Sequence, residues 1–323
     1  MQGRGLSSGN PIGACLLVAL AALAAALPCA GSARAAARAH PPAAGLGRER
    51  AEAERVERYW TPARMRSARP LDLALRGGRP ARAPAAPTAA ASFLPVETPE
   101  TPPFSFNGRI FVRQGRLVGF CSGTAIDTPT RQLVLTAGHC VNSGPFPTPR
   151  RRASIWSRFL EFVPAYNGGV APFGSFVARR STISALKQWT GHGNPDYDIG
   201  AFLTQPGTAG LNLADAVGGG ATIVADLPRA QQFQTFGYPG ETTRMQSCRS
   251  PYIGDDVLTN LFPGPPTMAV HCHWAPGASG GGWLIAEGTE INGINSYLHL
   301  NDRSRTFGPY FSRETVGRLV AGL

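Results

Sequence analysis

The chain has 323 residues, of which 43% are hydrophobic and 16% charged, a balance that leaves room for a sizeable core and excludes a wholly disordered chain. Its formal charge is +11, but residues 1–105 hold 13 arginines against 7 acids and residues 106–323 hold 18 basic against 13 acidic side chains. The body is therefore only mildly basic, without the aromatic-interleaved basic surface of a nucleic-acid binder.

Residues 1–35 read as a secretory signal. Arg4 supplies a sparse charged start, Ile12 to Leu27 is almost wholly aliphatic, and Ala33-Arg34-Ala35 offers small residues for cleavage. The apolar run stops at Pro28, short of the roughly 20 residues a membrane span needs. Export without stable membrane insertion after signal cleavage is the expectation, and the mature protein would be extracellular. Residues 36–105 are rich in Ala, Arg and Pro, a composition that buries too little to hold a fold of its own. They read as a propeptide or linker, with a short helix allowed around Arg48 to Tyr59.

From Phe104 the pattern turns to short β-type runs separated by Gly, Pro, Asn and Asp. Arg109 to Arg113 and Leu117 to Ile126 flank Gln114-Gly115 as a hairpin. Further strands are expected at Leu133 to Thr136, Ala221 to Leu227, Phe233 to Tyr238, Met268 to Trp274, Trp283 to Ala286 and Ile291 to Tyr297. Near the end, Val316, Leu319, Val320 and Leu323 fall at helical spacing after Ser312, a candidate N-cap. Many strands and one terminal helix predict an all-β barrel or sandwich, with the Gly-rich stretch 207–220 joining two halves.

Once the signal is removed, Cys121, Cys140, Cys248 and Cys272 remain, an even number that outside the cytosol reads as two disulfides. Three pairings are open. Joining sequence neighbours would close two loops of roughly 20 to 25 residues, each worth about 3 kcal/mol. There is no Cys-x-x-Cys pair to suggest zinc. His271 and His273 alternate around Cys272 and would share a strand face, but two ligands without a third do not make a metal site, so neither metal nor cofactor is expected.

Three segments carry chemistry. In Leu133-Val134-Leu135-Thr136-Ala137-Gly138-His139-Cys140, a buried strand runs into an imidazole suited to accept a hydroxyl proton near neutral pH. Asp196-Tyr197-Asp198-Ile199-Gly200-Ala201-Phe202 places acids at the mouth of an apolar run, where a carboxylate can fix an imidazole tautomer. Pro276-Gly277-Ala278-Ser279-Gly280-Gly281-Gly282 lets the backbone turn sharply. A serine hydroxyl would then project while the amides of Gly277 and Ser279 converge as an oxyanion hole.

The ordered set Thr-Ala-Gly-His-Cys, Asp-Ile-Gly-Ala and Gly-Ala-Ser-Gly-Gly resembles the chymotrypsin/trypsin-like serine peptidases over residues 106–323. Phe236-Gly237-Tyr238-Pro239-Gly240 and Cys121-Ser122-Gly123-Thr124 resemble the bacterial branch related to glutamyl endopeptidases. The resemblance implies two antiparallel β-barrels, at about 106–206 and 220–311, with a C-terminal helix at about 313–323. It also implies His139 as general base, Asp198 as its orienting acid with Asp196 as runner-up, and Ser279 as nucleophile in a secreted endopeptidase acting on peptide or protein substrates. The specificity pocket would involve His273, Asn295 and Ser296. Ala278 stands where trypsin-like digestive enzymes carry the aspartate that pairs with a new amino terminus, so any latency would come from residues 36–105 covering the crevice. The alternatives are a catalytically silent, peptidase-like binding protein and an esterase using the same triad, the latter disfavoured because α/β-hydrolases need alternating strands and helices. Arg150-Arg151-Arg152 reads as a solvated turn.

Overall fold

The computed structural model describes residues 43–76, 79–81, 93–145, 154–257 and 262–323; the signal-like residues 1–35 and the arginine run 150–152 lie outside them. The first described element is helix α1 (Ala43–Tyr59), whose Ala, Glu and Arg content favours helix and which begins five residues before the stretch the sequence suggested. At its end Val56 and Trp60 are buried. The Trp60 indole N–H donates to the Phe159 carbonyl at 2.6 Å, and Tyr59 stacks on Phe159 at 4.3 Å. Helix α2 (Pro62–Ser67) follows, with proline in its first turn and the Thr61 hydroxyl accepting from the Arg64 N–H. Short strands β1 (Arg69–Pro70), β2 (Leu73–Arg76), β3 (Arg79–Ala81) and β4 (Leu94–Pro95) complete this leader. The expectation that residues 36–105 hold no fold of their own meets a specific outcome. The described strands among them pair with strands of the two sheets that follow: β1 with β6, β2 with β18 and β4 with β14, defined below.

The first sheet runs through β5 (Asn107–Gln114), β6 (Leu117–Ile126), β7 (Leu133–Ala137), β8 (Arg158–Pro164), β9 (Phe176–Val177), β10 (Ser184–Ala185) and β11 (Ile199–Leu203) in the order β10-β11-β7-β6-β5-β8-β9. The expected hairpin β5–β6 pairs antiparallel from Gln114 opposite Leu117 to Asn107 opposite Thr124. Short helices α3 (Gly138–Val141), α4 (Lys187–His192) and α5 (Leu213–Ala216) interrupt the connections; α5 lies within the Gly-rich joining stretch.

The second sheet contains β12 (Thr222–Ile223), β13 (Gln232–Gly237), β14 (Gln246–Asp255), β15 (Met268–Val270), β16 (Gly282–Ile285), β17 (Glu290–Ile294), β18 (Tyr297–His299) and β19 (Asp302–Gly308), in the order β12-β17-β16-β13-β14-β15-β19-β18, continued by β2 and β3. Two antiparallel sheets with few helices make the double β-barrel of the chymotrypsin-like fold. Three expected strands are shorter than the sequence suggested: the run from Ile291 ends at Ile294, with Tyr297 starting β18, and in the other two side chains take over the ladder. Beyond Val270, the His271 N–H bonds to the Ser250 hydroxyl and the Trp274 N–H to the Thr306 hydroxyl. His271 is therefore exposed and His273 buried, and they do not share a strand face. Past Ile223 the Val224 carbonyl is taken by the Asn292 amide and Asp226 adopts a positive φ.

Disulfides join Cys121 to Cys140 across β6 and α3, and Cys248 to Cys272 in the second sheet, the sequence-neighbour pairing. The terminal helix is divided. Ser312 forms a reciprocal cap with Thr315, but the first turn, Arg313–Gly317, is a π-turn closed by the Gly317 N–H on the Ser312 carbonyl at 3.1 Å. Only Arg318–Ala321 (α6) is α-helical. Val316 and Leu319 still enter the main core.

Candidate active site

Residue His139 lies in α3 directly after the buried strand β7, whose five residues are all buried. Asp198 directly precedes β11, which pairs with β7 so that Ile199 faces Ala137. That register delivers the acid to the imidazole. Asp198 Oδ2 lies 2.8 Å from His139 Nδ1, and Asp198 Oδ1 accepts the His139 backbone N–H at 2.6 Å. The Ser296 hydroxyl donates to the same Oδ2 at 2.5 Å. A fully buried carboxylate oxygen facing Nδ1 calls for the proton on Nδ1, leaving the Nε2 lone pair free. Nε2 is buried and has no hydrogen-bond partner, so the structure does not include a Ser279–His139 hydrogen bond. Trp189 packs edge-on against the imidazole, ring centroids 6.2 Å apart, and is itself held by its indole bond to the Asn142 carbonyl. Gly138 makes the approach possible, since a Cβ there would meet both Asp198 Oδ1 and Trp189.

Ser279 comes from the loop before β16, and the junction between the sheets brings it beside α3. The Ser279 carbonyl accepts the Ser122 N–H at 2.8 Å and lies 3.8 Å from Cys140 Sγ. The Ser122 hydroxyl donates to the Gly277 carbonyl and accepts the Tyr238 N–H. Ser122 thus stitches β6 of one sheet to the Ser279 loop of the other. Gly277 and Gly280 have φ of +100° and +84°, values that side-chain-bearing residues avoid. A Cβ on Gly280 would also collide with Thr136 and the Ser122 carbonyl.

The tentative pocket residues divide. Asn295 and Ser296 line a cavity of about 10 Å³ together with Asp72, Trp274, Ser279, Tyr297 and Thr306, roughly the room one water takes. Asn295 has little to offer a ligand. Its amide nitrogen donates to the Phe236 and Ala278 carbonyls, and its oxygen accepts the Trp283 indole N–H, so it braces the Ser279 loop. Ser296 is spent on Asp198. His273 is buried but is not among the cavity-lining residues. Asp196 is fully buried next to Gly264 and makes no bond to His139. Of the expected oxyanion donors, the Gly277 N–H is engaged by the Leu71 carbonyl at 3.2 Å. Among the described residues, the grouping of potential metal ligands at Cys121, His139 and Cys140 has both sulfurs spent in a disulfide.

The two sheets and the loops that carry His139, Asp198 and Ser279 have the architecture of the chymotrypsin-like serine proteases, and the neighbours among solved structures include proteases of that kind. The protease Anisep from Arthrobacter nicotinovorans is 29% identical, covering 67% of this chain and 96% of its own, with TM-score 0.58. The thermostable serine protease AL20 from an extremophilic microorganism is 25% identical, covering 64% and 92%, with TM-score 0.56. A Glu endopeptidase at 18% identity, covering 71% and 95% with TM-score 0.55, shares the fold. No family model matches the sequence, and a search of curated proteins finds no match.

Proposed function

We propose that the chain is a secreted serine endopeptidase that hydrolyses peptide bonds through Ser279, His139 and Asp198. Ser279 attacks a substrate carbonyl while His139 Nε2 takes the hydroxyl proton. Asp198 holds the ring with its proton on Nδ1 and stabilises the imidazolium that forms. His139 then returns the proton to the leaving amine, and water releases the acyl-enzyme. The amides of Gly277 and Ser279 are assigned to the developing oxyanion. The single observation that carries this reading is the buried Asp198–His139 pair at 2.8 Å with its outer nitrogen unbonded, on the scaffold shared with the two bacterial proteases. In the same reading residues 1–35 direct export and residues 36–105 are removed as a propeptide.

The rival reading is a silent, peptidase-like binder, and one experiment separates the two. An organofluorophosphate reagent is expected to label Ser279, mapped by mass spectrometry after processing. Ser279→Ala is expected to abolish labelling and to lower peptide hydrolysis about a millionfold. A processed protein that neither labels nor hydrolyses any peptide of a diverse library is the outcome for the silent binder.

A further inference from the structure

The leader runs as an extended segment from the first sheet to the second. β1 pairs parallel with β6, Arg69 opposite Gly119 and Pro70 opposite Phe120. The Leu71 N–H donates to the Phe120 carbonyl at 2.9 Å. β2 then pairs parallel with β18, Leu73 opposite Tyr297. At the crossing, the Leu71 carbonyl occupies the Gly277 N–H, and Asp72 lines the cavity shared by Ser279, Ser296 and Thr306. Leu73 is buried in a cluster with Trp189 and Tyr297. Added strands of this kind are a general mode of peptide recognition at a sheet edge.

A peptide bound for hydrolysis must place two features of one residue together: its carbonyl oxygen at the oxyanion donors and its own side chain in the adjoining specificity pocket. Here the two come from consecutive residues. Leu71 supplies the carbonyl, but its side chain rests over Gly119 of β6, where a Cβ would touch Leu71 Cγ. Asp72, the next residue, supplies the side chain in the cavity. If Ser279 attacked Leu71, the leaving group would be the chain that continues along β18, on the pocket side.

We propose that residues 69–76 are a built-in inhibitor that threads the substrate crevice with inverted polarity, so that it blocks the site without being cut there. The inference rests on the peptidase reading above and gives the leader a defined mode of action. It occupies the Gly277 donor, the pocket and the β18 edge at once, yet presents no residue whose carbonyl and side chain are both correctly placed. The inhibitor is thus an extended peptide with a small acid between two leucines.

The test uses the full chain. The rate of Ser279 labelling by a fluorophosphonate is compared between the parent and the Leu71→Gly/Leu73→Gly variant, with and without a synthetic peptide of residues 67–76. The variant is expected to label at least tenfold faster, and the added peptide to restore slow labelling and be recovered intact. Leu71→Ala, read in the same way, serves if the double variant does not fold. Equal labelling rates, or cutting of the peptide at either bond of Asp72, would overturn the proposal. Amide hydrogen exchange in the parent separates it from the underlying reading. If neither protein labels, the peptidase reading falls, while slow exchange at the Leu71 and Gly277 amides still supports the inverted seating and fast exchange removes it.

Discussion

Residue Ser296 shares the Asp198 oxygen that faces the imidazole, and a hydroxyl proton spent on a buried carboxylate stabilises its charge. Removing it leaves a buried anion with one donor fewer, typically a cost of about 1.5–3 kcal/mol for a hydrogen bond to a charged group. Ser296→Ala is therefore expected to lower kcat about tenfold and, because the less satisfied carboxylate favours the imidazolium, to move the acid limb of the pH–kcat/KM profile upward. Ser296→Thr should recover most of the loss. A variant with an unchanged profile would mean that Ser296 only fills space. His139, Asp198 and Ser279 are readable in the sequence as candidates because each sits in a short string whose local chemistry is distinctive. The bonds of Ser296 and Asn295 are not, since Ser296 reaches Asp198 across 98 positions and its residue type alone suggests only a pocket wall.

Among the elements, β8 carries a charge where a strand buried on both faces is expected to be apolar. Glu161 is 3% exposed, and burial raises its carboxyl from the ordinary 4.5 to about 7, opposed by a Ser175 hydrogen bond and reinforced by Glu57 of α1. With the folded value above the unfolded one, the stabilising contribution is full below pH 4.5 and is lost as pH rises through 7. The size is about 3 kcal/mol for a shift of this order. Glu161→Gln should therefore remove a decline in stability between pH 4.5 and 7.5 that the parent shows, measured as denaturant midpoints at the two ends. Strand β8 escapes a reading by hydrophobic pattern because Arg158 and Glu161 break its apolar run. β14 escapes it through Pro251 and its polar alternation, and β19 through its charged start, Asp302-Arg303. Pairing with β5 fixes β8, and pairing with β15 helps to fix β19, contacts that no local window contains.

At the scale of the whole molecule, the leader is a strap tied at both ends. Trp60 anchors it to the first sheet, 5.4 Å from Phe111 between ring centroids and bonded to the Phe159 carbonyl. Leu94–Pro95 anchors it to the second through β14. Losing a buried tryptophan costs about 3–5 kcal/mol, and the loss should fall first on the docked helix. In Trp60→Ala, limited trypsin digestion is expected to cut within α1, at Arg50, Arg55 or Arg58, at least tenfold faster than in the parent. Composition reads the leader as a segment that cannot fold alone and is silent on where it docks, because the docking is written in the flanks of the sheet strands it pairs with. Bare strand margins invite pairing between molecules, and the strap hides the flanks of β14 and β18 together. In the proposed reading, a molecule that sheds it gains access for substrate and, by the same stroke, two adhesive borders, so the moment of unveiling would also govern whether neighbouring copies stick.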